Sequence, residues 1–236
     1  MPVINNFNLG LRSEEILQLN SFGTNHRIRL RMQSLIPEIL DEIDHLALIR
    51  PMASYALLEV EDIAPGRLSL AGGAVLNAPV ASHRLAGASI LVAGVVTIGA
   101  AVNTAISSSF ANGSTLKAVL MEEIANRLLF KASDEFLRVI DEEAARLNQQ
   151  ASGRLAPGDD GIDFSNQAVV LSLAGAEAIG ICLSATGVMD PVHSTSLLIG
   201  IGKRMQRWSQ FENCQDCPSR ARCRYRCEAN SYAECV

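Results

Sequence analysis

Apolar residues recur at three- or four-residue steps, or sums of these, from Leu116 through Leu120, Ile124, Leu128, Phe136 and Ile140 to Leu147. That period follows one face of an α-helix and predicts a long amphipathic helix over Ser114–Leu147, with Ser114 as its cap. A second helix is predicted over Asn25–His45, where Ile28, Leu30, Met32, Leu35, Ile36, Ile39, Leu40 and Ile43 show approximate helical spacing and Pro37 should disturb it. Ser13-Glu14-Glu15 reads as the capped start of a short helix, and Ser82-His83-Arg84-Leu85 closes another. Met52–Glu61 and Arg67–Leu70 read as strands around the turn Ala64-Pro65-Gly66. Ala178–Ser184 and Ser194–Gly202 are two more strands, and Ser165 caps a helix over Ser165–Leu173. Helices and strands are interspersed without strict alternation, which predicts a mixed α/β (α+β) domain.

One stretch invites a different reading. No charged residue occurs from Leu85 to Leu116, a length that could span a bilayer. Its second half holds Asn103, Ser107, Ser108, Ser109 and Asn112, and no aromatic belt flanks it. It is therefore read as a buried strand, Ser89–Thr97, and a small-residue helix, Ala100–Phe110. No basic start with an apolar run marks Met1–Gly10 as a secretion signal, so a cytoplasmic protein without membrane contact is expected.

The 236 residues, 48% of them hydrophobic and 19% charged, suffice for one large domain with an appendage. The formal charge of −5 argues against a nucleic-acid partner. It is unevenly spread: from Lys203 to the C-terminus seven Lys or Arg face four Asp or Glu, leaving −8 on the preceding 202 residues. Residues 1–208 are expected to form the body and residues 209–236 a separate tail.

Five of the six cysteines fall in the last 23 residues, and Cys214, Cys217, Cys223 and Cys227 have the spacing C-x2-C-x5-C-x3-C. Cys235 is a substitute ligand and Cys182 stands alone. So apolar-poor a segment cannot build its own core, and four thiolates suit zinc or an iron–sulfur cluster. Arg220, Arg222, Arg224 and Arg226 could offset the negative charge of either site, so charge does not choose between them. The spacing lacks the C-x3-C-x2-C of radical S-adenosylmethionine enzymes. Trp208 stands where it could pack the tail against the body. His26, His45, His83 and His193 are scattered, and no base, nucleophile and orienting acid assemble into a catalytic set. No catalytic residue is assigned.

Between Gln149 and Gly161 lies a loop rich in Gly, Pro and Asp. Pro157-Gly158 favours a turn, Gly158 allows close backbone approach, and Arg154 offers a planar fork suited to a carboxylate. Arg154-Leu155-Ala156-Pro157-Gly158 resembles the Arg-x-Ala-Pro-Gly loop of the activation domain of cobalamin-dependent methionine synthase. Other pieces follow in that family's order: Val96-Thr97-Ile98-Gly99, the long helix after Ser114, Asn166-Gln167 opening a helix, Ile179-Gly180-Ile181-Cys182-Leu183-Ser184, Gly187-Val188-Met189-Asp190-Pro191 and Ser194-Thr195-Ser196. The resemblance covers roughly residues 25–205.

The resemblance implies an activation-domain-like fold, a mixed or antiparallel sheet flanked by helices, with the small metal-binding tail appended. It implies S-adenosylmethionine as ligand, with Arg154 on its carboxylate, Ala156 and Gly158 offering backbone groups, and Glu122 or Glu123 facing its ammonium; Asn126 is the competing position. It implies a partner protein carrying cobalamin and an electron donor such as flavodoxin or ferredoxin. A role in passing an electron favours a [4Fe–4S] cluster over zinc in the tail. The family continues its motif with Tyr where this chain has Asp159, which removes an aromatic surface and adds charge beside the ligand. Two further readings stand beside this one: an iron–sulfur electron-transfer subunit and a zinc-stabilised interaction module of a corrinoid methyltransferase system.

Overall fold

A computed structural model describes residues 1–10, 13, 26–79, 81–159, 161–217 and 219–223. The chain opens with β1 (Val3–Ile4), α1 (His26–His45), β2 (Met52–Ala64), β3 (Gly66–Leu70), β4 (Val75–Ala78) and α2 (Ala81–Arg84). Then come β5 (Ile90–Thr97), α3 (Ala101–Ala111), α4 (Thr115–Arg146), β6 (Gln150–Ala151) and α5 (Gln167–Ala174). It closes with β7 (Cys182–Leu183), β8 (Met189–Asp190), β9 (Ser194–Gly202) and α6 (Gln210–Asp216). The short helix expected after Ser13 lies largely outside the described residues.

The main sheet is antiparallel, in the order β4-β3-β2-β5-β9-β6 with β1 added to β2, and β7 and β8 form a separate antiparallel pair. β2 pairs with β5 through Met52–Glu59 and with β3 through Val60–Ala64, and its register shifts between Val60 and Asp62. A bulge there bends the strand and increases local twist, which lets one long strand serve both halves of a curled sheet.

The apolar run expected to be a strand is β5, buried from Leu91 to Thr97. Its continuous hydrophobicity follows from cover on both faces. Val92 and Val96 face the core made with α1 and α4, while Leu91 and Ala93 join a second core with Leu155, Val170 and Leu198. The rest of the uncharged stretch is α3, and no helix of the described residues is long and apolar enough to cross a membrane. Gly94 lets α4 come close: a Cβ there would sit 2.6 Å from the ring tip of Phe136.

Several local expectations change. α1 runs through Pro37, because Met32, Leu35, Ile36, Ile39 and Ile43 bury one stripe of it against the core. Ser114 precedes α4 without a side-chain cap, contributing its carbonyl to the Ala118 amide instead. Asp163, rather than Ser165, caps the turn of 3-10 helix Phe164–Asn166 that leads into α5, accepting from the Ser165 amide at 2.8 Å. Ala178–Ser184 is not one strand. Gly175 and Gly180 take left-handed conformations on either side of a 3-10 turn, Ala176–Ile179, and only Cys182–Leu183 is extended. A short apolar run buried at Ala176 and Ile179 carries no period that separates the two forms.

Candidate ligand site at the Arg154 turn

Residues 152–155 continue from β6 along the side of β9 away from β5. The Ser152 amide donates to the Gly200 carbonyl at 2.8 Å, and Leu155 and Leu198 exchange both backbone bonds. Successive side chains of an extended segment point to opposite faces. Leu155 goes fully into the core, and Arg154 turns to α4, where its guanidinium lies 3.5 Å from Asp134. The Arg154 and Asp134 side chains are only 17% and 21% exposed. Burial pushes the Asp134 carboxyl above its ordinary value, and Arg154 pulls against that shift.

The Asp159 amide donates to the Ala156 carbonyl at 2.9 Å, closing a turn with Pro157 and Gly158 at its centre and Gly158 at φ +96°. Pro followed by a positive-φ Gly is the signature of a type II turn. The Asp159 carboxylate folds back to accept from the Ala156 amide at 2.8 Å, and the Gly158 amide donates to the Ile162 carbonyl at 3.0 Å. The backbone donors expected to meet a ligand are thus engaged within the loop, one of them by a carboxylate. Burial raises the Asp159 carboxyl, against the Ala156 hydrogen bond and the charges of Arg154 and Arg84.

The C-terminal segment backs this turn. Trp208 Nε1 and Asn213 Nδ2 both donate to the Arg154 carbonyl, at 3.3 and 2.9 Å. Arg84 donates to Asn213 Oδ1 at 2.6 Å, and its guanidinium lies 5.5 Å from the centre of the Trp208 ring. A cavity of about 270 Å³ opens here, lined by Arg84, Gln206, Trp208, Glu212 and Gln215. Trp208 packs this segment onto the body, as its position suggested.

The two glutamates lie elsewhere. Glu123 is 2% exposed on the inner face of α4. Glu122 is half-open, 3.4 Å from His193 Nε2, and accepts from Asn126 Nδ2 at 3.3 Å. His193 Nδ1 is held by Asn103 Oδ1. Twelve residues separate Glu122 from Asp134 on α4, about 18 Å along the helix axis at 1.5 Å per residue. The structure therefore groups Arg154, Ala156 and Gly158 with Asp134 and Asp159, and Glu122 with His193, Asn103 and Asn126. Asp134 could have been suspected as an acid between the buried Ser133 and Phe136. No local signal marked Arg84 or Asn213.

Burial lowers the His193 pKa below 6.5, outweighing the pull of Glu122. The unfolded chain then binds a proton that the folded chain refuses, so stability is complete above about pH 6.5 and declines as pH falls towards the folded value. Urea unfolding at a series of pH values is expected to show this loss, and His193→Gln to remove it. An unchanged pH profile in the variant would assign the loss to other groups.

Among the cysteines, Cys214 is buried on α6 and Cys217 caps the end of that helix; Cys217, Cys182 and Cys223 are free thiols. Cys227 lies outside the described residues. Among the described residues no three His, Cys, Asp or Glu side chains are grouped to hold a metal ion.

No protein-family model and no curated protein matches the chain. Among solved structures it is similar to a crystal structure of the MetH reactivation domain bound to AdoHcy, at TM-score 0.58 and 19% identity, over 86% of this chain and 81% of that one. An antiparallel, curled sheet flanked by helices, in this order and over this much of the chain, gives the protein the fold of the MetH reactivation domain.

Proposed function

We propose that this protein is a reactivation component for a corrinoid-dependent methyltransferase such as methionine synthase, binding S-adenosylmethionine at the Arg154 turn. The observation that carries this reading is the placement of Arg154: on a fold shared with a domain bound to AdoHcy, a mostly buried guanidinium stands beside a type II turn at the edge of the central sheet. Asp134 lies 3.5 Å away, and the planar guanidinium suits the carboxylate of a ligand.

An amino-acid head carries its ammonium and carboxylate on one carbon. In this reading Asp134 therefore faces the ammonium while Arg154 takes the carboxylate. Glu122, Glu123 and Asn126 sit too far along α4 to share that head. The Ala156 amide already holds the carboxylate of Asp159, so it is an anion-accepting position. Ala156 offers its amide to the ligand once Asp159 swings aside, and Gly158, without a side chain, lets the ligand approach the backbone.

The bound groups supply the chemistry: one electron and the sulfonium methyl convert Co(II) cobalamin to methylcobalamin, leaving S-adenosylhomocysteine. The protein supplies position. Cobalamin comes on a separate methyltransferase protein and the electron from a carrier such as flavodoxin or ferredoxin, in the cytoplasm. The tail, residues 209–236, binds metal through Cys214, Cys217, Cys223 and Cys227, as a [4Fe–4S] cluster or as zinc. Iron and sulfide analysis of anaerobically purified protein separates the two.

The test follows a partner's cobalamin spectrum. With reductant and S-adenosylmethionine, the protein is expected to convert partner Co(II) to methylcobalamin. Calorimetry should show S-adenosylhomocysteine binding at one site per chain. No heat of binding together with an unchanged spectrum would reject the proposal.

A further inference from the structure

Phe164 is 54% exposed, although the segment that carries it is tightly held. Its turn of 3-10 helix starts at the Asp163 cap. At the end of the turn Asn166 is buried, accepts from the Asn77 amide of β4 at 2.8 Å and donates to the Asn77 carbonyl at 2.7 Å. Gln167, which opens α5, donates from Nε2 to the Gly187 carbonyl at 2.7 Å. The backbone around Phe164 is thus anchored to two other parts of the chain.

The ring bridges two turns. A Cβ at Gly158 would lie 3.4 Å from ring atom Cδ2, and one at Gly187 would lie 3.7 Å from Cε1. Cδ2 and Cε1 are opposite corners of the ring, which therefore spans from the Arg154 turn to the turn joining β7 to β8. Neither glycine has a side chain to cover it, and Val188, next to Gly187, is also open to water. Lone apolar side chains on a surface need no explanation. A ring fixed across two turns, one of them carrying Arg154, is a different case. Asp163, next in the chain, is exposed, and hydrogen bonds from Ser165 hold its carboxyl below the ordinary value. Carboxylates beside nucleotide sites accept from ribose hydroxyls. A nucleoside brings such donors as well as a flat base, whereas an apolar protein surface brings none.

We propose that Phe164 is the stacking platform for the base of the ligand, and that it sets the preference of the Arg154 site for a purine nucleoside over a free amino acid. The identity of the ligand rests on the functional reading above. Gly158, against which the ring lies, is four residues from Arg154, in a turn whose ends stay within about 7 Å of each other. The aromatic surface that Asp159 cannot supply comes instead from Phe164, five residues further on.

The experiment uses the full chain with S-adenosylhomocysteine, adenosine and methionine. Calorimetry measures the first, and saturation-transfer NMR the other two. Phe164→Leu keeps an apolar side chain against the two glycines but has no aromatic face; Phe164→Tyr keeps the ring. Phe164→Leu is expected to weaken S-adenosylhomocysteine and adenosine by about tenfold, the cost of one lost base–aromatic stack, and to leave methionine unchanged. Phe164→Tyr should bind all three as the parent does. A merely structural role would move methionine together with the nucleosides.

Parent-like S-adenosylhomocysteine affinity in Phe164→Leu overturns the proposal and leaves the functional reading standing. So does an equal loss for methionine. So does a variant that binds ligand normally but no longer supports reactivation of a partner's cobalamin, which would make the ring a protein contact. If adenosine binds in a Phe164-dependent way but S-adenosylhomocysteine does not bind, the functional reading fails and the platform stands. A parent protein that binds neither overturns both.

Discussion

Phe136→Ala is expected to lower the stability of the protein by about 3–5 kcal/mol, the usual cost of removing a buried aromatic side chain. Phe136 is fully buried at the centre of the core that joins α4 to the sheet. Its ring meets Tyr55 of β2 edge-to-face, with centroids 5.7 Å apart and planes at 65°. Its tip fills the space over Gly94 of β5. Deleting the ring would leave a cavity beneath two strands that do not collapse easily, because β5 is hydrogen-bonded to β2 on one side and β9 on the other along its whole length.

The complementary change, Gly94→Ala, adds a methyl where none fits. Overpacking of this kind costs about 1–3 kcal/mol. The two sites touch, so their effects should not add: the double variant is expected to be more stable than the sum of the singles predicts. Urea unfolding of the three variants measures this. A loss below about 1 kcal/mol for Phe136→Ala would show that the core closes over the gap.

Arg154→Ala is the second large effect and acts on two quantities at once. Loss of a charge-assisted contact should weaken S-adenosylhomocysteine binding by about 10- to 100-fold. It also strands Asp134, whose side chain is 21% exposed and whose charge Arg154 now compensates. An unpaired, mostly buried carboxylate costs about 1–3 kcal/mol.

The sign of its pH dependence follows from linkage. Burial already raises the Asp134 pKa above 3.8, and removing Arg154 deletes the influence that lowers it. Above 3.8 and up to the raised value the folded chain binds more protons than the unfolded chain, so stability falls as pH rises through that window. The penalty in Arg154→Ala should therefore be largest near neutrality and ease on acidification. Arg154→Ala combined with Asp134→Asn should recover stability at neutral pH without restoring ligand affinity. Recovery of both would mean that the arginine acts only by neutralising Asp134.

Asp159 shows how a single position can redirect a motif. The Pro157-Gly158 turn forms as its sequence suggests, because a proline at the first central position and a positive-φ glycine at the second are local requirements. The carboxylate that follows is short enough to reach back to the Ala156 amide. A tyrosine has no such reach to its own turn. The Asp159 hydrogen bond closes the loop on itself.

Much of the architecture was legible in the order of residues. The helical period from Leu116 to Leu147 marked α4 to within a residue at each end, and the apolar stripe through Met32, Ile36 and Ile43 marked α1. Periodicity succeeds there because each helix buries one face, and burial writes itself into every third or fourth position. Ser194–Gly202 was readable as a strand, and Pro157-Gly158 as a turn, from residues within the segment alone.

Tertiary structure decided which acid meets Arg154. Asp134 and Glu122 are both carboxylates on the same helix, and only the course of residues 152–155 along β9 selects between them. It also brought Arg84, Trp208 and Asn213 to the far side of the same turn, although 129 residues separate Arg84 from Asn213. Local sequence governs local backbone energy, which is why turns and helices can be read from it. Meetings between distant side chains depend on how whole layers pack, and no short stretch of residues contains that information.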